Sequence, residues 1–179
     1  MKPEFQAKFL QYLNRQKKDE GFTLIELLVV IIIIGILAAI ALPSLLAQVN
    51  KAKQAEAKNN IGAVNRAQQA YYLEYQEFTT DLTQLGVGIK TQTTNFFYTI
   101  QMANDIINNK AYAVTNKKGL KSYSGVVGTI IGNSTTGEAL TVAFACESNI
   151  PTTVIPGNAN SVNTANSCPD GFKDLSATK

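Results

Sequence analysis

The stretch KKDEGFTLIELLVVIIIIGILAAIALP, residues 17–43, decides how the rest of this sequence is interpreted. No charged residue occurs between Leu27 and Leu42, and Gly35 is the only break in the aliphatic and alanine series. Counted from Phe22, the run matches the roughly 20 residues that a helix needs to cross a bilayer core. Outside lipid, so uniformly apolar a helix would need burial on every side, which a small domain could hardly provide. We therefore predict a membrane-spanning helix over 22–43.

The charges that flank this run predict its orientation. Basic residues precede it more often than they follow it: Lys2, Lys8, Arg15, Lys17 and Lys18 come before, and Lys51, Lys53 and Lys58 come after. Because basic residues tend to stay on the cytoplasmic side of a membrane, this modest excess favours a cytoplasmic N-terminus. The rest of the chain would then face outward, away from the cytoplasm.

A carboxylate near the start of the apolar run, Glu26, separates the interpretations of this segment. A secretory signal peptide cut after Ala41 fits a small-x-small pattern, but an acid inside the apolar region and a long polar stretch before it argue against this. A plain signal anchor leaves Glu26 unexplained. A carboxylate at mid-bilayer costs roughly 2.5–3.5 kcal/mol, and less near the end of a span. The interpretation that Glu26 is merely tolerated in a plain signal anchor therefore stays open.

Composition excludes several functions. The 179-residue chain has no histidine and no tryptophan, which removes His-based catalysis, His metal ligands and a Ser-His-Asp triad. The formal net charge of +3 does not by itself indicate a surface that binds nucleic acid. Because no nucleophile–base pair and no metal-ligand cluster stands out, we expect no enzyme activity, no cofactor and no metal site.

Two cysteines, Cys146 and Cys168, lie late in the chain. Behind a membrane-targeting segment they predict one disulfide in an oxidising compartment, whereas in a cytosolic protein the same pair would more often be free thiols. The tail around them is rich in Asn, Ser and Thr and could not hold its shape by burial alone. The predicted bridge would close the region 146–168.

The residues around Glu26 support a third interpretation. The segment Gly21-Phe22-Thr23-Leu24-Ile25-Glu26 resembles the class III signal of type IV prepilins, and the similarity continues through Gly35 and Pro43. It extends into AQVNKAKQAEAKNNIGAVNRAQQAYYLE, residues 47–74, which looks like the helix of cyanobacterial-type major pilins. Two features depart from the family pattern: the leader, 1–21, is long, and acids rather than a lysine directly precede the glycine.

This resemblance implies how the chain is processed and why the acid is present. A prepilin peptidase would cut between Gly21 and Phe22 and methylate the new N-terminus. The cationic amine of Phe22 would meet Glu26 of a neighbouring subunit in the apolar core of a filament, and this ion pair would set the axial register. Gly35 and Pro43 would allow the helix between them to unwind, because glycine adds flexibility and proline removes a helical hydrogen bond; the alternative is an ordinary proline kink at the membrane exit.

The sequence after Pro43 predicts a globular α+β head over 44–179. Apolar residues recur at helical spacing through Ala57, Ile61 and Val64, with Asn65 off that stripe, which predicts an amphipathic helix over 44–78. A connecting loop at 79–95 leads to four segments rich in β-branched and aromatic residues within 96–148, which predicts a four-stranded antiparallel sheet. The strands are expected at 96–103, 110–116, 125–132 and 139–147. A long helix laid on such a sheet is an α+β arrangement, and the resemblance identifies it as the type IV pilin fold.

Two functions follow from the resemblance. The first is the major subunit of an extracellular type IV pilus, a homopolymer that supports motility, adhesion and DNA uptake. Its implied partners are the prepilin peptidase and N-methyltransferase, the assembly platform, the cytoplasmic motor ATPases acting indirectly, and the inner membrane before assembly. The alternative is a pseudopilin of a type II secretion-like machine or a minor pilin.

Overall fold

The computed structural model describes residues 21–133, 138–159 and 168–175. The chain divides into two compact units, Met1–Leu46 and Ala47–Lys179. One long helix, α1 (Leu24–Tyr75), contributes to both. Of the predicted leader, 1–21, only Gly21 lies within the described residues.

The second unit contains one antiparallel sheet in the order β1-β2-β3-β4-β5. The strands are β1 (Phe96–Ala103), β2 (Ile106–Ala113), β3 (Tyr123–Asn133), β4 (Glu138–Ser148) and β5 (Phe172–Asp174). Every neighbouring pair is antiparallel and consecutive in the chain, so the sheet is a meander. The four predicted strands are present, and a fifth that the sequence did not reveal joins β4 at the edge.

The second strand begins four residues earlier than its predicted start at 110. Asn104 and Asp105 both have positive φ angles, 53° and 58°, and form a tight two-residue turn between β1 and β2. Turns of this kind match the twist of an antiparallel pair, and Asn and Asp tolerate the left-handed conformation. The prediction was wrong because β2 carries buried polar residues, Asn108, Asn109 and Lys110, which do not resemble a strand by composition.

The segment of α1 after Ala47 packs on the sheet. Ala57 and Ile61 form a buried cluster with Phe96, Tyr98 and Tyr123 from the strands. Val64 is also buried, so the predicted apolar stripe is confirmed for its first three members. The core therefore lies between α1 and one face of the sheet.

Asn65 corrects the predicted stripe, because this side chain is 5% exposed rather than solvated. Its Nδ2 donates to the carbonyl of Phe144 at 2.9 Å, and its Oδ1 accepts from Nδ2 of Asn109 at 2.8 Å. Buried amides are tolerated where their hydrogen bonds are made. These bonds connect the helix to β4 and to β2.

The helix ends at Tyr75, before the predicted end at 78. Gln76 adopts a left-handed conformation with φ 57°, and its N–H donates to the carbonyl of Tyr72 at 2.8 Å. This geometry is a common helix terminator. Phe78 then turns back and stacks on Tyr72, with ring centroids 4.7 Å apart, so it contacts the helix without extending it.

Candidate functional site

The first turn of α1 carries the acid that the sequence singles out. Thr23 precedes the helix, and Oε2 of Glu26 accepts hydrogen bonds from the N–H of Thr23 at 2.8 Å and from its hydroxyl at 2.7 Å. In return, the N–H of Glu26 donates to Oγ1 of Thr23 at 3.2 Å. This reciprocal pattern is a capping box, which satisfies amides that a helix start leaves free.

The capping box leaves part of the carboxylate available. Both hydrogen bonds reach Oε2 of Glu26, and within the described residues Oε1 accepts none. The helix dipole also favours a negative charge in the first turn. The arrangement therefore holds an acid at a fixed position beside Phe22 while one oxygen stays open to a cation.

From Leu27 to Leu42 the surface of α1 is apolar and uncovered. Leu24–Tyr75 contains a span that is long and apolar enough to cross a membrane by length and composition, and none of that span is buried within the chain. Its exposed side chains include residues on every side of the helix: Leu27, Leu28, Val29, Val30, Ile31, Ile32, Ile33 and Ile34. Such a surface requires lipid or other apolar helices around it.

Gly35 and Pro43 both lie inside the continuous helix. A Cβ added at Gly35 would meet no atom within 4 Å, so close packing does not require glycine there. Pro43 has no N–H, so the carbonyl of Ala39 lacks its usual intrahelical donor. Their predicted role in unwinding stays a prediction, because α1 is helical through both residues.

The head has its own cluster of charges, between α1 and the start of β3. Glu147 of β4 is buried and accepts ion pairs from Lys58 at 2.8 Å and from Lys121 at 2.5 Å. Burial by itself raises the pKa of Glu147, but hydrogen bonds and positive charge from Lys121 and Lys58 outweigh it and hold this pKa below its usual value. Nζ of Lys58 also lies 5.7 Å from the ring centroid of Tyr123.

The disulfide is present between Cys146 and Cys168, with Cα atoms 5.8 Å apart. Cys146 is buried in a second apolar cluster with Val126, Phe144 and Ala159, against which Phe172 packs. The bridge therefore attaches the tail to β4 next to the short β5. Residues 160–167 of the predicted closed region lie outside the described residues.

Phe22 and Glu26 both line a pocket at the start of α1, and the disulfide lies at β4 of the sheet. Sequence reasoning missed the role of Thr23, although Thr-x-x-Glu before an apolar run is a known capping signal. It also missed Glu147 and its two lysines, which are distant in sequence and carry no motif. Within residues 21–133, 138–159 and 168–175, no group of three or more Cys, Asp or Glu side chains is placed to hold a metal ion.

Comparison with known families agrees with this arrangement. The model of the family described as type IV pilin-like G and H matches residues 54–169, and that of the prokaryotic N-terminal methylation motif matches residues 16–42. The chain belongs to the type IV pilin-like family. This is a family of structural subunits rather than of enzymes, and membership in it together with the apolar helix indicates a membrane-anchored precursor.

Individual relatives include both pilins and secretion pseudopilins. The chain is 42% identical over 69 residues to the type IV major pilin protein PilA of Myxococcus xanthus, covering 38% of this chain and 31% of that protein. It is 29% identical to the fimbrial protein EcpC of Eikenella corrodens, covering 84% of this chain and 97% of the relative. It is also 34% identical to the type II secretion system core protein G of Dickeya chrysanthemi, covering 44% of this chain and 52% of the relative. No solved structure matches.

Proposed function

We propose that this chain is the major structural subunit of an extracellular type IV pilus. The observation that carries this proposal is an uncovered apolar helix whose first turn holds one carboxylate, directly after a Gly-Phe junction within a methylation motif. In this proposal residues 1–21 are the leader, 22–43 the membrane and assembly helix, and 44–179 the head. The filament would serve motility, adhesion and DNA uptake.

Assembly uses the geometry of the capping box. A prepilin peptidase on the cytoplasmic side of the inner membrane cuts after Gly21 and methylates Phe22, while the head faces outward. The cationic amine of an incoming subunit then binds the open Oε1 of Glu26 in a neighbour. An axial error would leave two unpaired charges among apolar side chains, so the ion pair selects register while apolar contact supplies the attraction. The assembly platform and, indirectly, the motor ATPases would drive this step, and Gly35 and Pro43 would permit local unwinding.

A second candidate, a pseudopilin or minor pilin, is supported by the relatives named type II secretion system core protein G. Their similarity covers less than half of this chain, whereas similarity to the Eikenella fimbrial protein covers 84% of it. We therefore favour the pilus. Abundance of the protein in filaments sheared from the cell surface discriminates between the two, because a pseudopilin would stay with the cells.

Substitution of Glu26 tests the assembly mechanism. Glu26→Gln keeps the size of the side chain and an acceptor for Thr23 but removes the charge. Membrane insertion and cleavage should therefore persist, while the yield of sheared filaments should fall steeply. Glu26→Asp is the matched control, since it keeps the charge on a shorter side chain and should retain partial assembly. Immunoblots of membrane precursor, mature subunit and sheared filaments give the three readouts. Normal filament yield from Glu26→Gln would contradict the register mechanism.

A further inference from the structure

We propose that the head carries two complementary surfaces through which one copy of this chain binds another, and this inference rests on the proposed filament function. One surface, the basic groove, lies between α1 and β4. The other, the acidic helix end, lies where α1 terminates. The basic groove is lined by Lys51, Gln54, Ala55, Lys58, Lys121 and Glu147. The acidic helix end comprises Leu73, Glu74, Tyr75, Glu77 and Asp81.

The basic groove has a volume of about 470 Å³ and an excess of positive charge. Glu147 is its single acid and is shared by Lys58 and Lys121. Lys51 is exposed and takes part in neither of these ion pairs. The three lysines and one carboxylate give the groove a net charge of +2, which favours an acidic partner.

The acidic helix end is the opposite case. The last turn of α1 contains no basic residue, and Glu74, Glu77 and Asp81 are all exposed. Glu74 lies in that last turn, where the helix dipole disfavours an acid, whereas Asp81 lies beyond the helix and accepts hydrogen bonds from the N–H and the hydroxyl of Thr83. Among the described residues, both ion pairs involve Glu147, so no lysine or arginine there lies within 4 Å of these three carboxylates. An unfavourable placement without an internal cation fits carboxylates that bind a cation on another molecule.

Each surface also has exposed apolar side chains at its margin. Leu73 is 72% exposed and Tyr75 56% exposed at the acidic helix end. The loop after β4 presents Ile150 and Val154, which are 71% and 70% exposed. That loop is fixed to the segment carrying Lys121, because the N–H of Thr152 donates to the carbonyl of Leu120 at 3.0 Å. Each of the two segments therefore presents exposed apolar side chains in addition to its charges.

The contact is heterologous, since two different surfaces of one head are used. Each copy offers its groove to one neighbour and its helix end to another, and such contacts extend into helical assemblies when they do not close into a ring. From Lys51 to the end of α1 at Tyr75 the helix rises about 36 Å, at 1.5 Å per residue. The proposed contact thus joins heads that are offset axially by roughly that distance.

Charge exchange in the full-length chain tests the contact. We expect Lys51→Glu and Glu77→Lys each to lower sheared filament yield by about tenfold or more, since like charges would face each other. The combined Lys51→Glu and Glu77→Lys chain should regain filaments. Lys90→Glu, at an exposed lysine outside the groove, is the matched control and should assemble normally. Normal yield from both single variants, or a combined variant no better than either one, would overturn the proposal.

A cross-link provides a geometric readout. A Lys51→Cys and Glu77→Cys chain should form disulfide-linked ladders in oxidised filaments, whereas Lys90→Cys combined with Glu77→Cys should not. Ladders from the control pair alone would overturn the assignment of the groove. Absence of any filament from the unsubstituted chain would instead contradict the proposed pilus function, so the two failures are distinguishable.

Discussion

Nζ of Lys58 on α1 lies 2.8 Å from Oε2 of Glu147 on β4, and Lys121 binds the other oxygen of the same carboxylate. These ion pairs connect the helix, strand β4 and the segment that precedes β3. The carboxylate is buried, while Lys58 is partly open to solvent. Both carboxylate oxygens thus have a charged donor, as a buried acid requires.

The first prediction concerns pH. The pKa of folded Glu147 is lowered, so its contribution to stability is complete above the unfolded-state pKa of about 4.3 and is lost as pH falls through the lower folded-state value. We expect Glu147→Gln to reduce the free energy of unfolding by roughly 1–3 kcal/mol at pH 7. The difference from the unsubstituted chain should shrink below pH ~4. Urea unfolding in detergent measures it, with Glu74→Gln as an exposed control. A stability difference between Glu147→Gln and the unsubstituted chain that does not change with pH would contradict a charged Glu147 in the folded head.

The second prediction concerns processing. Mass spectrometry of filament protein should give a mature chain that begins with N-methylated Phe22, because the Gly-Phe junction directly precedes an intact helix. Gly21→Ala should slow the cut and leave precursor in the membrane. A Cβ at position 21 meets no atom within 4 Å, so the folded subunit should be unaffected. A mature N-terminus at Leu42 would establish a signal peptide instead.

The third prediction concerns the disulfide. Replacing both Cys146 and Cys168 with alanine should lower the free energy of unfolding by about 3 kcal/mol, because the bridge closes a loop between residues that are 22 positions apart in the chain. Reduction of the unsubstituted chain should have a similar effect, which serves as the comparison. Purified, denatured filaments should bind no thiol reagent before reduction. Labelling of both cysteines at that stage would show that the bridge is absent from the assembled protein.

The fourth prediction concerns the approach of α1 to the sheet at Gly125. A Cβ there would overlap Oδ1 of Asn65 and lie 2.7 Å from Cγ2 of Ile61. Gly125→Ala should therefore destabilise the head by roughly 1–3 kcal/mol, as overpacking of a core does. Gly62→Ala is the matched control, because its Cβ would meet only the Arg66 side chain at 3.5 Å and alanine favours a helix. Equal stability of the two variants would contradict this account of the helix–sheet contact.

The sequence by itself determined the features that depend on neighbouring residues. An unbroken apolar run predicts the helix, because its period and length need no partner to be recognised. The strands at 96–103 and 139–147 agree with β1 and β4 within a residue, since each is rich in β-branched or aromatic residues and bounded by turn formers. Glu26 also stood out, because an acid is conspicuous among aliphatic side chains.

Only the tertiary structure decided features that join distant segments. Asn65 and Asn109 look like surface residues in sequence. Folding buries both, with Nδ2 of Asn109 donating to Oδ1 of Asn65 and Nδ2 of Asn65 donating to the carbonyl of Phe144. Strand β5 has three residues, too few for a pattern, and exists because the Cys146–Cys168 bridge holds the tail beside β4. Glu147 acquires its role from lysines 89 and 26 positions away, and no local pattern encodes a charge balance made by folding.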